Sequence, residues 1–273
     1  MFQDPYLSGV FNVLVLMALL ALVEAILPLF PRSALNRRHL GANLGLTAIT
    51  FGLNFLANGL LMGGALWVSG QGAGLIQWLD LPLPGAIIVT LIVMDLGTYA
   101  AHVLMHKFPA MWRVHLVHHI DPAVDVTTSF RQHPLESLWR FAFLALTAWG
   151  LGAPLAGIML YRTLSAVNAV LEHANIKVPW RLDTIISMIW VTPNMHKLHH
   201  SRAKAQTDSN YGNLFSLFDR MFRTFTPSAG AGGVRYGIDG YDDPAAQKLP
   251  GLLRLPFRGA RHADAIAKYE LTV

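Results

Sequence analysis

The sequence predicts an all-α integral membrane protein: about four membrane-crossing helical segments capped by a cytosolic, His-rich metal-binding region. Three observations carry that expectation. Of 273 residues, 53% are hydrophobic and only 14% are charged, against about 25% charged in an average soluble domain. Mean hydropathy is +0.40, so 21 Lys+Arg and 16 Asp+Glu are too few to cover a soluble fold of this size. The apolar residues also run in stretches long enough to cross a hydrocarbon core of about 30 Å. The same composition excludes disorder and fibrous repeats. Zero Cys excludes disulfides, thiolate metal sites, iron–sulfur clusters and a Cys nucleophile. The net charge of +5 fits basic loops at an anionic leaflet. No basic run is interleaved with aromatics, so no nucleic-acid partner is expected.

The elements follow in order. Residues 8–30 carry a single charge, Glu24, and are long enough to span. The preceding MFQDPY lacks a positive n-region and no A-x-A site follows, so a signal peptide is not expected. A basic loop, 31–40, holds Arg32, Arg37 and Arg38. The second apolar stretch, 41–69, is interrupted by Asn54, Asn58 and Gly63-Gly64, and Trp67 and Trp78 lie near the expected interface. A third span, 84–105, runs directly into the first histidines. After the polar segment 107–136, residues 137–173 turn apolar again. As one helix they would be about 55 Å long, too long for a single crossing. The run Gly150-Leu151-Gly152-Ala153-Pro154 is a breaker, so a helical hairpin is expected. The chain thus divides into N-terminal spans (1–83), a His-bearing domain (84–226) and a C-terminal cytosolic tail (227–273).

The positive-inside rule places loop 31–40 in the cytosol. Counting crossings brings the end of the third span and the return of the hairpin to that same face. Lys107, Arg113, Arg131, Arg140, Lys197, Arg202 and Lys204 cluster around the His-rich segments and agree with it.

Of 12 histidines, eight fall in three clusters: His102 with His106; His115, His118 and His119; His196, His199 and His200. Positions i, i+3 and i+4 share one face of a helix. His102 and His106 can therefore grip one ion. In each H-x-x-H-H, two imidazoles can bind one ion while another reaches a neighbour. By chance one such motif is expected about 0.02 times and two on the order of 0.0003 times. Eight histidines exceed what one tetrahedral ion can use, so a dinuclear site is expected. Imidazole suits Fe, Zn, Cu and Ni, which leaves the metal open. His173 stands where the hairpin returns and is a further candidate ligand. His133 is a candidate for a ligand or for a partner of one. Asp95, two helical turns before His102, is a candidate to orient a ligand imidazole or a structural polar contact. His39 and His262 read as ordinary polar groups.

These residues resemble the fatty acid hydroxylase/sterol desaturase superfamily of membrane di-iron oxygenases. The pattern is Asp95, six residues, His102, three residues, His106; then His115-x-x-His118-His119; then His173; then His196-x-x-His199-His200. The stretches HHIDPAVDVTTSFRQHPLE (118–136), HANIKVP (173–179), TPNMHKLHHS and DSNYGNLFSLFDRMFRTF match as well, and the likeness covers about residues 84–226. It implies that His102, His106, His115, His118, His119, His173, His196, His199 and His200, with His133 at the margin, ligate two irons. Those irons activate O2 to hydroxylate, or desaturate, a membrane lipid. It implies an external electron donor too, a cytochrome b5-like protein, a ferredoxin or a reductase; a reduced pterin serves one branch. There are departures. Tyr99-Ala100-Ala101-His102-Val103 stands where many relatives have Y-W-x-H-R, and Ala169 replaces a ligand found in some branches. They leave coordination number and subfamily open.

Without the resemblance, a polyhistidine pair of ions at the end of a membrane bundle still faces both cytosolic reductant and lipid. Neutral ligands leave such a pair electrophilic, which suits attack on unactivated C–H bonds. Rival classes fit less well. An intramembrane zinc protease needs H-E-x-x-H, but Val103, Leu104 and Met105 separate the first two histidines. Haem would waste adjacent His doublets. A membrane metal transporter or metal-binding protein is the main alternative, and it would want polar residues through its spans, where Glu24, Asn54 and Asn58 are few.

Overall fold

The computed structural model describes residues 5–30, 38–241 and 247–258. Its helices are α1 (Pro5–Ile26), α2 (Leu40–Gly70), α3 (Leu75–Trp78), α4 (Leu83–Lys107), α5 (Pro109–His119), α6 (Pro134–Leu151), α7 (Leu155–His173), α8 (Trp180–Ile186), α9 (Pro193–His199), α10 (Lys204–Thr207), α11 (Leu217–Met221) and α12 (Leu249–Arg254). Among the described residues no sheet forms; two isolated bridges join Pro28 to Ile176 and Trp190 to Phe215.

Three segments are long and apolar enough to cross a membrane: Ser8–Ile26, Leu40–Trp78 and Leu83–Lys107. Their outer faces expose Leu19, Leu22, Leu56, Leu60, Leu66, Ile88 and Ile92, an exterior suited to lipid. The hairpin forms as α6 and α7, broken at Gly152–Pro154. Neither of its helices is among the three apolar ones: α6 carries Glu136 and Arg140, and α7 carries Arg162 and Glu172. Both pack on α4.

Small residues let these helices approach, as in membrane bundles generally. The Trp149 indole of α6 packs against Gly64 of α2, where any Cβ would collide with its ring, and its Nε1 donates to the Leu61 carbonyl at 3.0 Å. The hairpin tip needs Gly152 for a left-handed turn, φ 60°; its carbonyl accepts from Gln77 Nε2 at 2.9 Å. At the other end of α4, Pro109 disfavours a helical Phe108, which is extended (φ −95°, ψ 117°). That break turns α5 back, so its histidines face those of α4.

Two parts differ from expectation. Within residues 227–273, read as a C-terminal cytosolic tail, Ile238, Tyr241, Leu252 and Leu255 join one apolar cluster with Leu46 of α2 and Trp112 and Leu116 of α5. Arg131 and Lys197, counted among the basic residues at the cytosolic face, are wholly buried and hydrogen-bond to carbonyl oxygens instead. Arg32, Arg37 and His262 lie outside the described residues.

Candidate metal centre

Nine histidines converge in two groups. The first joins His102 and His106 of α4, His115 and His119 of α5, and His199 of α9; the second joins His118, His173, His196 and His200. Within each group the candidate donor atoms all lie within 4.8 Å of one another. Each H-x-x-H-H motif is therefore shared. From α5 the i, i+4 pair His115 and His119 serves the first group and His118 the second. From α9 and its C-cap residue His200, the pair His196 and His200 serves the second and His199 the first. The groups are neighbours, with the His119 and His200 rings stacked at 4.7 Å between centroids.

The nitrogen chemistry tests whether cations fit. His118 Nδ1 stands 3.0 Å from the Arg131 carbonyl, His173 Nδ1 2.7 Å from that of Ala169, His102 Nδ1 2.8 Å from that of Tyr211 and His199 Nδ1 2.8 Å from that of Ser209. A carbonyl only accepts, so each Nδ1 carries the proton and each Nε2 is a bare lone pair. Yet His118 Nε2 and His173 Nε2 are 3.1 Å apart, two lone pairs facing each other with no proton between them. His173, His196 and His200 Nε2 are spaced at 3.0–3.2 Å. Nitrogens so spaced around one point lie about 2 Å from it, the metal–imidazole distance. In the first group, His106 Nε2 and His199 Nε2 are buried with no protein partner. Two cations fit these nitrogens.

Electrostatics keep the donors available. Burial, reinforced by neighbouring imidazoles, holds His115, His118, His119, His196, His199 and His200 well below the ordinary histidine range, so they are neutral at pH 7. Carboxylates stand behind two imidazoles of the first group: Asp208 Oδ1 is 3.3 Å from His106 Nδ1, and Glu136 Oε2 is 3.1 Å from His115 Nδ1. Such partners fix ring orientation and raise basicity.

The scaffold around the groups is polar and buried. Lys197 Nζ, between two ligand candidates of α9, donates to the Ala174 carbonyl at 2.6 Å, and burial pushes its ammonium down to about 7. Glu24 of α1 accepts from Asn175 N at 2.6 Å and Val126 N at 3.0 Å, tying the first span to the exit of α7. On the far side of His118, Arg131 donates to the Val117 carbonyl, Asn43 and Gln247 at 2.7–2.8 Å. His39 pairs with Asp121 at 2.8 Å, the satisfied polar group expected of it.

Two sequence candidates sit elsewhere than expected. His133 is not brought to either group. It caps α6, accepting from Leu135 N at 3.2 Å on Nδ1, while Nε2 stands 3.2 Å from the Leu253 carbonyl, so no lone pair is left for an ion. Its own context, His133-Pro134-x-Glu136, carried that signal, because Pro at N1 and Glu at N3 mark a helix start. Asp95 touches no imidazole. It accepts from Leu214 N, Phe215 N and Asn213 Nδ2 at 2.9–3.1 Å, while Asp219, pushed up to about 6 by burial, takes Tyr211 N and Gly212 N at 2.8 and 2.9 Å. Together they fix the 211–215 segment whose Tyr211 carbonyl orients His102. Sequence reading missed Glu136, Asp208, Glu172 and Tyr211 as neighbours of the centre.

Comparison with known proteins places the chain. The Fatty acid hydroxylase family matches residues 87–224, just over half of the chain. An ornithine lipid hydroxylase, OlsE, from Rhizobium tropici is 30% identical over 70% of this chain and 55% of its own length. An alkylglycerol monooxygenase from Caenorhabditis elegans is 26% identical over 54% of this chain and 28% of its own length. Cholesterol 25-hydroxylase from Rattus norvegicus is 25% identical over 50% of this chain and 46% of its own length. The chain thus spans about half, or less, of the length of these relatives. No solved structure matches. Every residue of both histidine groups lies inside the matched segment, and the chain belongs to the fatty acid hydroxylase family, within the fatty acid hydroxylase/sterol desaturase superfamily.

Proposed function

We propose that the protein hydroxylates a membrane lipid with O2 at a di-iron centre held by His102, His106, His115, His119 and His199 on one side and His118, His173, His196 and His200 on the other. The observation that carries this reading is the inward convergence of Nε2 lone pairs, with outer nitrogens anchored on carbonyls and carboxylates. Bound there, a reduced iron pair would supply O2 activation for attack on an unactivated C–H bond. The chain's own part is to hold nine neutral imidazoles rigid, keep bulk water from them by burial, and seat them at the end of α4, beside the lipid-facing bundle.

The relatives' names supply the substrate class: an ornithine lipid, an alkylglycerol and cholesterol are all membrane lipids, and all three relatives are named as hydroxylases or monooxygenases. Hydroxylation is favoured over desaturation on that ground. With the hairpin as a fourth crossing segment, the centre lies on the cytosolic face, and electrons come from a separate redox partner. Membranes containing the protein, a reductant system and 18O2 test the reading. One labelled oxygen should enter a polar aminolipid, an ether lipid or a sterol, and His118→Ala or His199→Ala should abolish the product while the protein stays folded in detergent. Full product in either variant overturns the assignment. Metal transport into vesicles without any lipid oxidation would favour the transporter alternative.

A further inference from the structure

The two histidine groups are unequal, five donors against four, and the difference has a structural counterpart. Glu172, in the last turn of α7, is buried at 5% exposure. Its Oε1 lies 3.8 Å from His196 Nε2 and 3.8 Å from His173 Nδ1. His196 Nε2 is the inward nitrogen of its ring, the one shared with His173 and His200. Glu172 Oε1 is thus as near to an inward nitrogen of the second group, His196 Nε2, as to the outward His173 Nδ1, whereas Glu136 and Asp208 stand only behind outward nitrogens of the first.

The carboxylate is held in place. Its Oε2 accepts from Asn168 Nδ2 at 3.3 Å. Asn168 cannot turn away, because the same amide nitrogen donates to the Asn213 carbonyl at 2.6 Å and its oxygen accepts from Trp190 Nε1 at 2.7 Å. Among the described residues, no lysine or arginine lies within ion-pair distance of Glu172. A buried carboxylate without a cation is costly, and a divalent ion among His118, His173, His196 and His200 would supply that countercharge.

We propose that Glu172, 3.8 Å from the inward nitrogen of His196, is the carboxylate arm of the second ion. This rests on the metal-centre reading above and makes the two ions unlike: one among five neutral imidazoles, the other among four imidazoles and an anion.

The test uses the full chain in detergent, loaded with iron-57. Wild-type protein should hold two irons per chain and give two Mössbauer doublets. Glu172→Gln keeps the shape and the acceptor for Asn168, so a purely structural role predicts no change. The proposal predicts that one iron leaves to a chelator at least about tenfold faster and that one doublet moves while the other stays. Glu172→Ser, which leaves room for a water, should do the same and serves if the amide packs badly. Two irons retained as tightly as in wild type, with both doublets unmoved, overturn the role of Glu172 and leave the centre standing. Fewer than two metals in the wild type, with His118→Ala and His199→Ala no different from it, overturn the metal-centre reading and this inference with it.

Discussion

Asp95→Ala is the most informative perturbation of the scaffold, because it removes an anchor from the centre without touching any of the nine histidines. The Asp95 carboxylate is fully buried and accepts from two backbone groups, Leu214 N at 3.1 Å and Phe215 N at 2.9 Å. Alanine leaves both N–H groups without an acceptor inside the bundle. Each orphaned group costs about 1–3 kcal/mol, so the loss is about 2–6 kcal/mol, or on the order of 10 °C in Tm for a chain of this size. The freed segment includes the neighbourhood of Tyr211, whose carbonyl holds His102 Nδ1 at 2.8 Å, so the first histidine group should loosen before the second. The assay is thermal unfolding in detergent, read beside iron content after dialysis. Asp95→Asn keeps one acceptor oxygen and should fall between alanine and wild type. Wild-type Tm together with two retained irons in Asp95→Ala would refute the anchoring argument.

Three further outcomes follow. His133→Ala removes a helix cap, not a ligand, so it should cost about 1 kcal/mol, a few degrees in Tm, and leave iron content unchanged; loss of iron would restore His133 to the ligand set. Gly64→Val pushes a side chain into the Trp149 ring and should destabilise the α2–α6 contact by about 1–3 kcal/mol, read as a lowered Tm; an unchanged Tm contradicts the packing. For His39, burial depresses the imidazole, but Asp121 at 2.8 Å and Asp125 outweigh it and hold it above its ordinary 6.5 against the opposing Arg131. A base raised in the folded state stabilises fully below its unfolded value and loses that contribution as pH rises through the folded one. His39→Ala should therefore cost about 1.5–3 kcal/mol near pH 6 and progressively less toward alkaline pH; a penalty that grows with pH would contradict the sign.

Much of the histidine convergence was legible because it is encoded locally. The i, i+3 and i+4 spacings within α4, α5 and α9 bring imidazoles to one face wherever those helices end up, and of the ten candidate histidines all but His133 lie in the two groups. Three long apolar helices and the hairpin break were equally plain, since apolar runs and Gly/Pro breaks are local: the stretch 41–69 appears as Leu40–Gly70 and the hairpin breaks at Gly152–Pro154, though its two helices are not among the three. What stayed hidden depends on long-range placement. Asp208 meets His106 across 102 residues, and Asp95 meets Phe215 across 120. Glu172 is adjacent to His173 in sequence, yet nothing local says that it reaches to 3.8 Å from His196 Nε2. Arg131 and Lys197 were counted with the basic residues of the cytosolic face because burial of a cation against carbonyls leaves no mark on composition.

The central claim is that nine histidines hold two metal ions, and elemental analysis of protein purified in detergent from iron-supplemented cells tests it most directly. Two irons per chain in the wild type, falling in both His118→Ala and His199→Ala because each group then loses a ligand, is the predicted result. One metal or none in the wild type, or two irons undiminished in both variants, would contradict it.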